Sequence, residues 1–224
     1  MAGILFIISA PSGSGKSTLV TQLRTLVAGL DFSISYTTRL PRGSEEDGRE
    51  YHFTTRQDFE RMIAAGEFLE WAEVFGNYYG TALAALEHAR VAGKDLLLDI
   101  DVQGAMQIMQ MLPAAVSIFI LPPSPQILEM RLRNRSEAEQ MTVESVIERR
   151  LLEARRELKK IREYKYALVN DVLDQAVAEM RAIVLCERGD EAAGAEGIAV
   201  LASSCRTDEA SPRLIAALTS FGEI

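Results

Sequence analysis

The chain has 224 residues, 48% of them hydrophobic, and a formal charge of −8. That length and apolar content suffice for a real core, as one domain with insertions or two small ones. The negative balance excludes a broad nucleic-acid or acidic-membrane surface, so any anion must be met by locally clustered arginines.

The first predicted element is a buried strand over the apolar run Ile4 to Ser9. It lacks a positive n-region and flows directly into a Gly-rich turn, so it is expected to be a strand rather than a signal peptide. That turn, Ala10-Pro11-Ser12-Gly13-Ser14-Gly15-Lys16-Ser17-Thr18, has the chemistry of a phosphate-binding loop. Gly13 and Gly15 let successive N–H groups converge on phosphate oxygens at the positive end of the next helix. In such a loop Lys16 reaches the β and γ phosphates and Ser17 holds magnesium. Ala10 stands where the strict pattern G-x-x-x-x-G-K-[ST] has glycine. An ordinary turn between a strand and a helix has no need of a lysine followed by two hydroxyls.

A helix is predicted from Lys16 to about Ala28 and a strand over Phe32 to Thr37. Arg39 to Glu50 is a polar, Gly-containing stretch that reads either as a disordered surface loop or as a ligand loop. A short strand Tyr51 to Phe53, a helix Thr55 to Ala65 and a strand Phe68 to Val74 follow, in a style unlike a parallel core. Then come a helix from Ala82 to Val91, buried strands over Asp95 to Ile100 and Val116 to Leu121, and helices over Gln126 to Asn134 and Val143 to Glu163. Tyr166 to Val169 is the last predicted strand and Leu173 to Cys186 the last helix of the core. The alternation points to α/β. Beyond residue 189 the composition turns to Ala, Gly, Ser and acid, so residues 190–224 are expected to form a weakly ordered extension. No run reaches the ~18 apolar residues needed to span a bilayer. Cys186 and Cys205, in no metal or redox spacing, suit a reducing cytosol, and His52 and His88 read as packing or surface residues.

Several side chains stand out chemically. Asp99, at the end of a buried strand, either holds magnesium beside the phosphate loop or caps the following helix, and Asp101 carries the same alternatives. Arg39 and Arg42 flank Pro41, and two guanidiniums on a stiffened loop, with the Tyr51 phenol, can fork onto a phosphate. Arg131, Arg133 and Arg135, with Arg149 and Arg150 further on, either belong to a mobile lid over a transferring phosphoryl group or form a solvated surface paired with Glu129, Glu144 and Glu148. Glu70 beside Trp71 reads as an exposed acid next to a packing aromatic, or as a carboxylate that accepts from guanine N1–H and its 2-amino group, an edge adenine lacks.

Taken together, A-P-S-G-S-G-K-S-T, S-I-S-Y-T-T-R-L-P-R-G-S-E-E-D-G-R-E-Y-H-F, E-F-L-E-W-A-E-V-F-G-N-Y-Y-G-T, L-D-I-D-V-Q-G and V-N-D-V-L-D resemble guanylate kinase in order and spacing, over residues 3 to 187. The resemblance implies an α/β P-loop kinase with a three-layer core around a parallel sheet. It also implies a small mixed GMP-binding insertion at about 35–82 and a helical lid at about 131–155. It implies Mg2+-dependent transfer from ATP to GMP in the cytoplasm, with no nucleic-acid or membrane partner. By position, Ser35, Glu70, Thr81 and Asp101 match the guanine contacts. Arg39, Arg42, Tyr51 and Tyr79 match contacts to the GMP phosphate, and Asn170 a residue near the adenine. Arg135 and Arg150 match lid arginines, with Arg149 the alternative register because the lid segment is longer than usual. An inactive scaffold module is disfavoured by the intact phosphate loop, and a kinase for another acceptor by Glu70 with Ser35 and Thr81.

Overall fold

A computed structural model describes residues 3–138, 144–189 and 195–222. The elements are β1 (Leu5–Ser9), α1 (Lys16–Leu26), β2 (Leu30–Phe32), β3 (Tyr36–Thr37), β4 (His52–Phe53), α2 (Arg56–Ala64), β5 (Phe68–Val74), β6 (Asn77–Ala82), α3 (Leu83–Ala92), β7 (Asp95–Asp99), α4 (Val102–Met111), β8 (Val116–Leu121), α5 (Pro125–Ala138), α6 (Glu144–Leu158), a 3-10 turn Ile161–Glu163, β9 (Tyr166–Val169), α7 (Leu173–Arg188), α8 (Ala195–Ser203) and α9 (Pro212–Phe221). The fold is α/β. Its five-stranded sheet has the order β2-β7-β1-β8-β9, and a second sheet has the order β4-β3-β6-β5. Strands β8 and β9 are buried at every position, as strands of a parallel sheet covered on both faces must be.

Contacts divide the chain into two compact units, one of Met1–Ile7 with Gly29–Ala115 and one of Ile8–Ala28 with Val116–Ile224. The first contains the four-stranded sheet, in which β3 pairs with β4 in parallel while β6 is antiparallel to both β3 and β5. Phe75 and Gly76 join β5 to β6, both at positive φ, as a tight type I′ hairpin turn requires. The second unit contains the Gly-rich turn, α1, β8, β9 and α5 to α9.

Three expectations are corrected. Phe32 to Thr37 is two strands rather than one: Ser33 N–H still donates to Leu97 at 3.0 Å, whereas the Ser35 carbonyl accepts from His52 N–H at 2.9 Å in the other sheet. One alternating run therefore serves two sheets. Strand β6 and helix α4 had no predicted counterpart. Pairing with β3 and β5 sets the position of β6, and α4, with Val102, Gly104, Ala105 and Ile108 on its buried face, starts at the Asp101 cap. Finally, residues 195–222 are not a weakly ordered extension, while 190–194 lie outside the described residues. Ala202, Cys205, Leu214, Ala217 and Leu218 are buried. Residues 205–207 run beside β9, with Ala167 N–H donating to the Cys205 carbonyl at 2.7 Å and Thr207 N–H to the Lys165 carbonyl at 3.2 Å. The tail thus covers the edge strand of the sheet. Ser211 caps α9 by accepting from Leu214 N–H, with Pro212 at the first helical position.

Candidate active site

In the first unit, sheet register aligns residues that are far apart in sequence. Glu70 on β5 lies directly opposite Thr81 on β6. Tyr36 opposes Gly80 and Thr37 opposes Tyr79, so Ser35 comes one step before this pairing, at the level of Thr81. Between Phe68 and Glu70 the β5 register shifts by one residue, and such a bulge re-aims the side chains that follow it. Glu70 is consequently 4% exposed while its neighbour Trp71 is 38% exposed. The reading of Glu70 as an exposed acid beside a packing aromatic is therefore reversed. Ser35 and Thr81 are also buried, and Thr81 Oγ1 has no hydrogen-bond partner among the described residues. A buried hydroxyl without a partner is costly unless a ligand supplies one.

Asp101 caps α4, its carboxylate accepting from Gly104 N–H at 2.8 Å. The capping alternative therefore holds for Asp101, and a carboxylate that accepts one N–H retains capacity for a ligand. Gly104 itself is a site residue the sequence did not single out. A Cβ there would lie 2.2 Å from Glu70 Oε2 and 3.2 Å from Asp101 Oδ1. Its missing side chain lets the Glu70 carboxylate sit against the first turn of α4, where the helix dipole favours negative charge. The motif L-D-I-D-V-Q-G contained the signal, since glycine in the first turn of a helix has no conformational reason to be there.

The residues matched to the GMP phosphate also cluster in this unit. The Arg39 guanidinium is 9% exposed and forks onto Glu45 at 2.8 and 2.9 Å. It lies 5.3 Å from the Tyr51 ring centre, and the Tyr51 and Tyr79 rings meet edge-on at 5.9 Å. Burial opposes the Arg39 charge, but the fork onto Glu45 and the Tyr79 phenol outweigh it and raise the pKa. Tyr51 is pushed up to about 12, by burial first and by the charge of Asp99 second, so its phenol is a hydrogen-bond donor at neutral pH. Glu45 also accepts from Arg42 N–H at 2.8 Å, and Asp47 from Phe53 N–H at 2.8 Å. The stretch 39–50 is thus an ordered loop held by its own charges. His52 stacks near Tyr36, with ring centres 4.7 Å apart, in the packing role expected of it. Asp99 ends β7, half-buried.

In the second unit, Gly13 and Gly15 have φ values of 91° and 85°, left-handed geometry that glycine adopts without strain. Gly15 is the N-cap of α1, so Lys16 and Ser17 open its first turn. Ala10 and Ser14 are buried, and Ser14 Oγ has no hydrogen-bond partner among the described residues. Three groups hold the loop from behind. A Cβ at Gly13 would meet Leu128 and Leu132 of α5 at 3.0 to 3.1 Å. Asn170 Nδ2 donates to the Ser14 carbonyl at 2.7 Å, and Arg131 donates to the carbonyls of Ser14 and Asn170 at 3.3 and 2.9 Å. Asn170 is 6% exposed, so its described role is to brace the loop, and a Cβ on Gly15 would approach its Nδ2 to 2.4 Å.

On α6, Ile147, Arg150, Ala154 and Leu158 share the buried face, whereas Arg149 is exposed. Arg135 lies within α5, its side chain outside the described residues, as are residues 139–143 of the expected lid. Arg133 pairs with Glu129 and Glu144 at 2.6 to 2.9 Å, which is the solvated-surface alternative. No helix among the described residues is long and apolar enough to cross a membrane. Cys186 and Cys205 are free thiols.

A family model described as guanylate kinase matches residues 3–187. A guanylate kinase of Koribacter versatilis is 59% identical over 188 residues, covering 84% of this chain and 80% of that protein. One of Nitrosospira multiformis is 50% identical over 186 residues, covering 83% and 87%. The crystal structure of a guanylate kinase from Anaplasma phagocytophilum is similar with a TM-score of 0.69 and 32% identity, covering 87% of this chain and 89% of that one.

Proposed function

The chain belongs to the guanylate kinase family, and from that premise we propose that Ser35, Glu70, Thr81 and Asp101 read guanine while residues 10–18 hold the phosphates of ATP. The reaction transfers the γ-phosphoryl group of ATP to GMP, giving ADP and GDP. The observation that carries the site assignment is the row in which the buried Glu70 carboxylate opposes the buried, unpartnered Thr81 hydroxyl.

Glu70 accepts from guanine N1–H and the 2-amino group together, a pairing that adenine cannot make. dGMP carries the same base and would meet the same four residues, so we propose it as a second acceptor. Glu45 holds the Arg39 plane near Tyr51; Arg39, Arg42, Tyr51 and Tyr79 then bind the GMP phosphate, with the protonated Tyr51 donating. That phosphate is already anionic near neutral pH, so the reaction needs no strong general base. Catalysis rests on in-line positioning and charge neutralisation by Lys16 and the lid arginines Arg135 and Arg150.

Ser17 and Asp99 are the residues that would hold Mg2+, since each offers a hard oxygen. Mg2+ is characteristically held by one or two side chains and substrate phosphates. Bound there, it would neutralise phosphate charge. The reaction takes place in the cytoplasm.

The test is a coupled assay of ADP formation with GMP, AMP, CMP and UMP as acceptors. Turnover efficiency with GMP is expected to exceed that with AMP by about a hundredfold or more, as for a site that leaves polar groups unpaired with the wrong base. Comparable use of AMP would overturn the assignment of Glu70.

A further inference from the structure

Helix α9 lies beyond the end of the family match at residue 187, yet one of its side chains reaches the segment that braces the phosphate loop. Arg213 is the second residue of α9, fixed in direction by the Ser211 cap and Pro212. Its guanidinium spreads over three neighbours. Nη1 donates to Glu179 on α7, and Nη2 donates to the Val169 carbonyl at the end of β9 at 2.5 Å and to Asp171. Nε also donates to Asp171, at 3.3 Å. Asp171 turns its carboxylate back onto Val172 N–H at 2.6 Å.

The residue between Val169 and Asp171 is Asn170. One planar group therefore grips the chain on both sides of the residue whose amide donates to the Ser14 carbonyl and whose own carbonyl accepts from Arg131. Asn170 has little freedom in this seat, because it approaches Gly15 so closely that a Cβ there would collide with it. The grip is also strong. Glu179 is 5% exposed, and a fork between guanidinium and carboxylate combines charge with fixed geometry.

We propose that Arg213, on the C-terminal extension, is a positioning residue for the ATP site: by clamping Val169 and Asp171 it fixes Asn170 against the phosphate loop and so sets affinity for the phosphoryl donor. The inference rests on the assignment of residues 10–18 to ATP. It gives the extension a part in catalysis that the family match does not cover. A misplacement of a few tenths of an ångström in the loop carbonyl that Asn170 holds changes where the loop N–H groups point, and phosphate binding depends on that convergence. The acceptor is bound by residues of the other unit, so its affinity is not expected to change.

The experiment measures KM for ATP and KM for GMP separately, well below the melting temperature, for the full chain, Arg213→Ala, Arg213→Lys and Lys16→Ala. Removing Arg213 leaves Glu179 as a buried charge without its cation, which can unfold the protein. The double variant Arg213→Gln with Glu179→Gln removes both charges and serves if the single variant does not fold. The folded variant lacking Arg213 is expected to show KM for ATP raised about fivefold or more with KM for GMP within about twofold, and Arg213→Lys, which keeps the charge, to fall between it and wild type. An unchanged KM for ATP, or equal rises in both constants, overturns the inference and leaves the extension a structural cover. Lys16→Ala keeps the two assignments distinguishable. If it remains active, the loop assignment fails and the inference falls with it; if it is inactive while KM for ATP in the Arg213 variant is unchanged, only the inference fails.

Discussion

The acceptor residues and the donor residues are built by opposite strategies. On the donor side the groups proposed to face ATP are consecutive, residues 10–18, and others support them from behind: Leu128 and Leu132 under Gly13, Asn170 and Arg131 on the Ser14 carbonyl. On the acceptor side no two of the residues proposed to read guanine are neighbours in the chain. Ser35, Glu70 and Thr81 meet only because β3, β6 and β5 pair in one register, pinned by the Phe75-Gly76 turn and the bulge before Glu70. A contiguous loop tolerates change in its surroundings until its braces fail, whereas a register-built site depends on every strand that contributes to it.

Removal of residues after Gly189 is the largest perturbation expected on the donor side. It strips α8 and α9 and uncovers the surface facing Ala202, Cys205, Leu214, Ala217 and Leu218. At ~1.5 to 3 kcal/mol for each of the two leucines, with smaller amounts for the alanines and Cys205, the loss is a large part of the stability of a typical domain. A melting temperature lowered by about 10 °C or more is expected in a thermal denaturation scan, and an unchanged one would show that the tail does not hold the unit together.

Lys16→Ala comes next. Lys16 acts on charge that shifts during transfer, and the loss of one such group costs ~2.7 to 4 kcal/mol of barrier, a ~10²- to 10³-fold fall in kcat, with folding intact. Retention of a tenth or more of wild-type turnover with GMP would remove the loop from catalysis.

Gly104→Ala is the corresponding test of the acceptor side, and its expected cost is smaller because the Glu70 carboxylate can shift. The added methyl occupies the space 2.2 Å from Glu70 Oε2. Displacing a charged acceptor from its partner costs ~1 to 3 kcal/mol, so KM for GMP should rise by about five- to 150-fold with KM for ATP little changed. The smallest effect is expected from Arg133→Ala. Its pairs with Glu129 and Glu144 are exposed, and solvent screening leaves such pairs little weight; kcat should stay within about twofold. A larger loss would return Arg133 to the group of arginines that act on the transferring phosphate.

The same contrast explains what the sequence made legible. The donor loop was readable directly, because its glycines, lysine and hydroxyls are adjacent and each has a local reason. The apolar strands β1, β7, β8 and β9 were readable because a doubly covered strand is a continuous apolar run. Glu70 was a candidate from the chemistry of a carboxylate with guanine, with an exposed acid as the alternative, whereas Ser35 and Thr81 became site residues only through family resemblance, since neither a bulge nor a register appears in the composition of F-L-E-W. Phe32 to Thr37 misled because alternation continues where the chain changes sheets. The tail misled for a further reason: its Ala-, Gly- and Ser-rich composition hides helices that bury Ala202, Leu214, Ala217 and Leu218, and the weight of Arg213 lies in its partners on α7 and β9, which the sequence does not place. Gly104 carried a signal in its position alone.

The most direct measurement of this account is a pair of Michaelis constants for Glu70→Gln, one for GMP at saturating ATP and one for ATP at saturating GMP. An amide accepts less strongly than a carboxylate and cannot serve both guanine donors, so KM for GMP is expected to rise by about tenfold or more, the equivalent of ~1.4 kcal/mol or above, while KM for ATP stays within about twofold. Equal rises in both constants would show that Glu70 supports the fold instead of reading the base, and the separation between a register-built acceptor site and a loop-built donor site would not stand.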